Sequence, residues 1–439
     1  MRAGAGRTQI HDYQHDDQGE TVLTGALGLA TASRPLGDEA EVVKAGAVGT
    51  PARALSVDRL TLTDFRSYTH LRLDCGPASV VLNGANGVGK TNILEAISFL
   101  APGRGLRGAR LAAPSRHDGG DGDGNGDGNG DGRPWAVAAR INTPDGYRDL
   151  GSGLGASADG NRQKRLVRID GEAVSSQAAL AEVFSVQWLT PAMDRLFLDG
   201  ATARRRFLDR LIIGHDAAHA GRVLAYGHAL RERSRLLRGQ APADGAWLDA
   251  LEDTMAAKGV AVAAARIDLV GRLNAVTARP PGPFPGAGLM IGGELENWLI
   301  SGPALDAEDR LRDALKASRE PDAVNGGAAR GPHRSDLIVR HLTKGRPAAE
   351  CSTGEQKALL IAIILAAARM QMETRGAAPG LLLDEVTAHL DAGRREALFD
   401  EIAALGAQAW MTGTEATLFE GLRGRARFFT IDGGRAWES

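Results

Sequence analysis

Residues 83–92 read "NGANGVGKTN", and they stand between a short apolar run, "SVVL", and a helix-like stretch, "TNILEAISFL". Gly84, Gly89, Lys90 and Thr91 complete a phosphate-loop pattern in the strand-loop-helix context that its mechanism requires. Glycines let the backbone curl, so that successive N–H groups of Gly84, Ala85, Asn86, Gly87, Val88, Gly89, Lys90, Thr91 and Asn92 face phosphate oxygens at a helix N-terminus. Lys90 is placed to reach the β and γ phosphates of ATP, and Thr91 to give an oxygen to Mg²⁺. Far downstream, "LLLDE" (residues 381–385) is an apolar strand ending in two carboxylates. Asp384 suits the magnesium site and Glu385 suits a general base that polarises the attacking water. Each signal has a plain alternative, a glycine-rich turn or a strand emerging at two acids, but the pair together favours a nucleotide site.

The spacing of that pair dictates the organisation. Asp384 follows Lys90 by 294 residues (384 − 90), far more than one compact nucleotide-binding unit needs, so a large insertion divides the site. Residues 1–52 lack sustained apolar periodicity and are expected to be a disordered extension. Residues 53–192 alternate apolar and polar positions as half-buried strands do, and form the first half of the ATPase domain. Residues 193–322 form a helical arm, with Phe207, Leu208, Leu211 and Ile212 on one stripe and Trp247, Leu251 and Met255 on another. Residues 323–439 return to strands and supply the second half. Within the first half, "DGGDGDGNGDGNGDG" (118–132) is a low-complexity loop. Asp121, Asp123, Asn125 and Gly126 imitate the start of a calcium loop, yet Gly132 stands where a bidentate Glu is required, so a flexible insertion is expected.

Composition excludes other classes. The two cysteines, Cys75 and Cys351, are in no metal-ligand spacing and fit a reducing compartment. The longest apolar run, residues 358–368, is short of a membrane span, and a cytoplasmic, non-membrane location is expected. A net charge of −2 shows no bulk preference for nucleic acid, so local charge must carry any such contact.

Just before the acidic strand stands "CSTGEQKALLIAIILA". Ser352, Gly354, Glu355 and Gln356 resemble the signature motif of ABC-type ATPases in the form seen in the SMC, Rad50 and RecF group, while Ser352 with Glu355 is also a capping box for the helix that follows. "TAHLD" (387–391) resembles the D-loop, and Gln187 in "SVQWLTP" resembles the Q-loop glutamine, a metal and catalytic position. With "LTLTDFRSY", "GRGLRGAR", "RRRFLDRLI" and "GPHRSDL", these segments resemble the RecF family of recombination-mediator ATPases from about Ser56 to the C-terminus. The resemblance implies an α/β, Rad50-head-like ABC ATPase fold with an inserted helical arm. It further implies an ATP-dependent homodimer, in which Ser352 and Gly354 of one copy complete the other copy's site. Double-stranded and gapped DNA, RecR and RecO as partners, and RecA loading in the SOS response are implied in the same way. The chain departs at "WMTGTE", where transporter-like relatives place a switch histidine; Thr412 or Thr414 is the candidate replacement, and slow hydrolysis follows. A Rad50 or SMC protein needs hundreds of heptad residues, and only 164 separate Gln187 from Ser352 (352 − 187 − 1). A transporter subunit usually carries a Leu-Ser-Gly-Gly-Gln signature, and an OLD-type nuclease needs a further domain. An ATP-gated clamp that does not hydrolyse remains an alternative of a different class.

Arg104, Arg107 and Arg110 after the phosphate-loop helix are candidates for duplex phosphates, and Arg204 to Arg206 are weaker ones. His333 and Arg334 in "GPHRSDL" read as structural. The phosphate-loop assignment predicts that Lys90→Met abolishes nucleotide binding and ATP-dependent self-association; intact ATP-dependent dimers by light scattering would refute it.

Overall fold

A computed structural model describes residues 55–116, 134–156, 163–239, 244–278, 280 and 282–439. The expected extension at 1–52 and the calcium-like loop at 118–132 lie outside these residues. In chain order, β1 (Ser56–Phe65), β2 (Tyr68–Asp74) and β3 (Ser79–Asn83) lead into α1 (Lys90–Ser98). β4 (Ala136–Thr143), β5 (Gly146–Ala156), β6 (Gln163–Ile169), β7 (Glu172–Ala173), α2 (Ala178–Val183) and β8 (Val186–Leu189) follow. Next come α3 (Ala201–His215), α4 (Ala218–Leu237), α5 (Gly245–Thr277), β9 (Ala287–Gly292), α6 (Glu294–Ser301), α7 (Ala304–Ala317) and α8 (Arg319–Asn325). The chain closes with β10 (Asp336–His341), β11 (Arg346–Pro347), α9 (Thr353–Arg375), β12 (Gly380–Leu383), α10 (Ala392–Ala404), β13 (Ala409–Gly413), β14 (Ala426–Asp432) and β15 (Arg435–Glu438).

Two six-stranded sheets dominate. One is antiparallel in the order β2-β1-β4-β5-β6-β7; the other runs β15-β14-β3-β13-β12-β8, parallel except for β15. A parallel sheet is buried on both faces, and alternate residues of its strands enter different cores. Val80 and Leu82 of β3 join α1 and the antiparallel sheet around Trp135, whereas Val81 joins Leu381 and Leu383 of β12 in the core built on α3, α5 and α9. α9 is buried almost all round from Gln356 to Ala368, which explains an apolar run with little amphipathic character. None of the described helices is long and apolar enough to cross a membrane.

The helices between β8 and β10 carry a small core of their own, including Tyr226, Met255, Leu311 and Leu315. At its centre Arg233 is fully buried and donates to Glu252 (2.8 Å), Asp322 (2.7 Å) and the Leu315 carbonyl (2.6 Å), joining α4, α5, α7 and α8. This network shifts the sequence-read stripe. Trp247 is 49% exposed, and the buried face of α5 runs through Leu248, Glu252, Met255 and Gly259. Met255 and, partly buried, Leu251 pack in this core as expected; the buried Glu252 broke the apolar pattern, so counting apolar residues put Trp247 on the buried face in place of Leu248.

β9 lies inside the stretch expected to be helical. It pairs antiparallel with β10, from Ala287↔His341 to Gly292↔Asp336. Its free edge is covered by α5: the Asn274 amide accepts from Leu289 N and donates to Leu289 O (2.7 and 2.8 Å), as a neighbouring strand would. The signal for β9 was six residues long and followed a proline-rich break, too short to displace a helical reading. Arg233→Ala would leave the buried Asp322 without its cation and Glu252 with Arg319 alone, and should cost about 3–5 kcal/mol; a change within experimental error in urea unfolding would show that the network is not structural support.

Candidate functional site

Five parallel strands end along one edge, and their register decides what meets there. Leu383 pairs with Met411, and Thr412 with Leu82, so Asp384, Thr412 and the start of the phosphate loop emerge side by side. Two glycines make the loop possible. Gly84 (φ 145°) lies so close to the Ile431 carbonyl that a Cβ would overlap it, and Gly89 (φ 106°) would put a Cβ 2.7 Å from Ser67 Oγ and 2.8 Å from the Tyr68 hydroxyl. Ala85, Asn86 and Gly87 are exposed, whereas Gly89 and Lys90 are buried. Lys90 Nζ folds over the loop and donates to the carbonyls of Gly84 and Ala85, both at 2.7 Å. Burial lowers its pKa, against the opposing pull of Glu385 and Asp384.

Thr91 Oγ1 donates to Asp384, 2.9 Å from Oδ1 and 3.1 Å from Oδ2, so two of the three expected metal positions are in direct contact. Asp384 is 5% exposed. Among the described residues no group of three or more His, Cys, Asp or Glu could hold a metal ion. One hydroxyl and one carboxylate nevertheless fit Mg²⁺, whose other positions in phosphate-loop sites are taken by phosphate oxygens and waters. Thr412, fully buried, donates to Asp384 Oδ1 (2.7 Å) and accepts the Glu385 N–H (2.9 Å). It is an anchor for the acidic pair, and its hydroxyl is occupied; the expectation that it replaces a switch histidine is corrected. Thr414 is exposed beyond the strand end. Glu385 is half-buried and adopts a left-handed backbone (φ 49°).

Gln187 does not reach this edge. It sits within β8 opposite Leu381, three residues before Asp384, roughly 10 Å back along the strand. Its side chain faces α3 and α9: a Cβ on Gly214 would lie 2.8 Å from Gln187 Nε2 and 2.7 Å from Gln371 Oε1. Both Gln187 amide atoms are buried without a partner among the described residues. The metal and catalytic reading of Gln187 is therefore corrected. At the same strand end the loop beyond β8 offers Asp194 instead, 3.8 Å from Lys357 Nζ.

Ser352 caps α9 in the expected capping box with Glu355, whose carboxylate accepts from the Ser352 N–H at 3.0 Å. Lys344 also pairs with Glu355, and these donors hold its carboxyl well below the usual range. Ser352 and Thr353 remain exposed, and Gly354 packs beside the His389 carbonyl of the "TAHLD" loop (3.7 Å from a Cβ built there).

A second ionic centre supports α1. Glu95, fully buried, accepts from Arg66 (2.7 and 2.9 Å) and from Arg107 (2.6 Å), and Arg107 also donates to Asn92 (2.9 Å). Arg107 is thus partly committed, whereas Arg104 and Arg110 are exposed. The Arg204 to Arg206 cluster is mostly structural: Arg204 forms a two-pronged pair with Asp336 (2.7 and 2.8 Å), and Arg205 donates to the Ser335 carbonyl (2.6 Å). His333 accepts from or donates to Tyr226 (2.6 Å) and meets the Ala328 carbonyl (2.9 Å), consistent with a structural loop.

The same architecture occurs in known proteins. Residues 59–129 match the family described as AAA domain. The chain is 49% identical over 381 residues to the DNA replication and repair protein RecF of Mesorhizobium japonicum, covering 86% of this chain and 96% of that one. It is 46% identical over 384 residues to the RecF of Brucella abortus, covering 87% and 96%. Two solved structures, of the recombination mediator protein RecF with ATPrS and with ATP in the RecFOR pathway, superpose with TM-scores of 0.74 and 0.73. Their identities are 20% and 21%, and each covers 88% of this chain and 98% of that one, so they show a shared fold. With close to half of its residues identical to those relatives across nearly their whole length, the chain belongs to the RecF family of DNA replication and repair ATPases.

Proposed function

We propose that this protein is an ATP-gated clamp on duplex DNA, assembled as a homodimer through its nucleotide sites. The observation that carries this reading is the pairing of two half-sites: a joined Thr91–Asp384 contact beside the phosphate loop, and an exposed, capped α9 N-terminus bearing Ser352 and Gly354. The loop N–H groups and Lys90 bind the phosphates, and the α9 terminus of a second copy presents its dipole and the Ser352 hydroxyl to the γ phosphate. Mg²⁺, which Thr91 and Asp384 would hold, would supply charge neutralisation to the phosphates. Glu385 accepts a proton from the attacking water, whose oxygen bonds to the γ phosphorus as the bond to ADP breaks. Hydrolysis is slow, because the Thr412 hydroxyl, at the position of a switch histidine in transporter-like relatives, is occupied in holding Asp384. It opens the dimer.

Arg104 and Arg110 are the better-placed phosphate contacts, being exposed in the segment that follows α1. The relatives' role in replication and repair supports double-stranded DNA at gaps as the target, with RecR and RecO as partners, RecA loading as the outcome, and action at the nucleoid in the cytoplasm during the SOS response. Glu385→Gln should accumulate an ATP-bound dimer that sediments as such and turns over at least tenfold more slowly; an unchanged turnover rate would remove Glu385 as base. In that trapped dimer, replacing Arg104 and Arg110 by Ala should lower the slope of log affinity against log salt by about 1 per lost phosphate contact, and an unchanged slope would place the DNA elsewhere.

A further inference from the structure

Glu385 occupies a backbone conformation that a glutamate seldom adopts, at φ 49°, and such strain persists only where neighbours enforce it. Its peptide groups are held from two sides. On one, the N–H donates to Thr412 Oγ1 (2.9 Å). On the other, its carbonyl accepts from Lys357 Nζ at 3.1 Å. Lys357 belongs to α9, three residues beyond Gly354 on the buried face of the helix, and is 2% exposed. A buried ammonium requires compensation. The only carboxylate in ion-pair range among the described residues is Asp194, at 3.8 Å, and Asp194 Oδ1 is itself buried without a partner. The charge is therefore placed for the carbonyl it meets more than for a well-made ion pair. The sequence marked Lys357 only as the residue after the signature.

We propose that Lys357 is a positioning residue for ATP hydrolysis, clamping the Glu385 carbonyl so that the general base keeps its left-handed turn, and tying that turn to the helix that carries Ser352 and Gly354. The proposal rests on the reading of Glu385 as the base. α9 is one continuous helix buried from Gln356 to Ala368, so its N-terminal seating and the Lys357 clamp move together. A base displaced by a fraction of an ångström still lets ATP bind, because the phosphate loop and Lys90 are untouched, but it loses alignment with the attacking water.

The test compares Lys357→Met with Lys357→Arg in the full chain. Lys357→Met should lower kcat on the order of 10- to 100-fold, with ATP affinity and ATP-dependent dimerisation kept, and Lys357→Arg should recover most of the lost turnover by donating to the same carbonyl. An unchanged kcat in the Met variant, or parallel losses of kcat, ATP affinity and dimerisation, would overturn the proposal. If the Met variant fails to melt cooperatively, Lys357→Gln substitutes for it: a shorter, neutral amide in the same buried place should weaken the hold on the Glu385 carbonyl and lower kcat without changing ATP affinity, and a wild-type kcat there overturns the idea. Glu385→Gln measured alongside separates the two readings. Full turnover in Glu385→Gln removes the base itself, whereas a slow Glu385→Gln beside a fast Lys357→Met removes only the clamp.

Discussion

The contact on which the site depends is that of Thr91 with Asp384, a hydroxyl and a carboxylate 293 residues apart that meet at 2.9 Å. Neither residue can be placed by its own neighbourhood in the chain. β3 delivers Thr91, β12 delivers Asp384, and β13 between them sets the separation through the registers Met411↔Val81 and Leu383↔Met411. Thr412 then closes the gap by donating to Asp384. A slip of one residue in β13 would turn Thr412 to the opposite face and leave the carboxylate without its buried donor. The core contacts of Val81, Leu381 and Leu383 with α9, and of Val80, Leu82 and Leu382 with the antiparallel sheet, specify that register from both faces.

Charges buried elsewhere follow two different rules. Glu95 and Arg233 are fully buried yet completely satisfied, each gathering several partners from distant elements, and they fix how helices pack. Near the strand ends the accounting is looser: Lys90 donates to two loop carbonyls, Lys357 to one, and Asp194 keeps an unpartnered oxygen. Of these only Lys90 lies on the phosphate loop, where its two carbonyl partners can be exchanged for phosphate oxygens, so the contrast separates scaffold charge from working charge.

The sequence disclosed what is local. The phosphate loop, the acidic strand and the α9 capping box each have their chemistry within a few consecutive residues, and each is found where its pattern implies. What it concealed is set by pairing. Gln187 looked correct because it precedes the helical insertion, but only the register of β8 against β12 reveals that it lies three residues short of the site. Thr412 and Lys357 carry no motif of their own. Their significance comes from meeting Asp384 and Glu385, so one-dimensional reading could at most mark them as neighbours of recognised segments. On α5 only Trp247 was misplaced, for a related reason, since a buried ion pair at Glu252 looks polar in sequence and belongs to the core in space.

The position of Glu385 draws these threads together. Its neighbour Asp384 continues β12 and donates its own N–H to the Leu189 carbonyl at 2.8 Å, so the strand is still straight one residue before the turn. The left-handed φ of Glu385 then reverses the chain into the "TAHLD" loop, where His389 adopts a second left-handed conformation (φ 64°) beside the first turn of α9. Two strained non-glycine residues within five positions each carry an energetic cost of about 1–3 kcal/mol, and the fold sustains it with Thr412 on one side and the α9 helix on the other. The acid's placement is thus a property of three separated segments at once. Any movement that reseats α9 must change the geometry at Glu385, which makes a base coupled to the signature helix a consequence of how this turn is built.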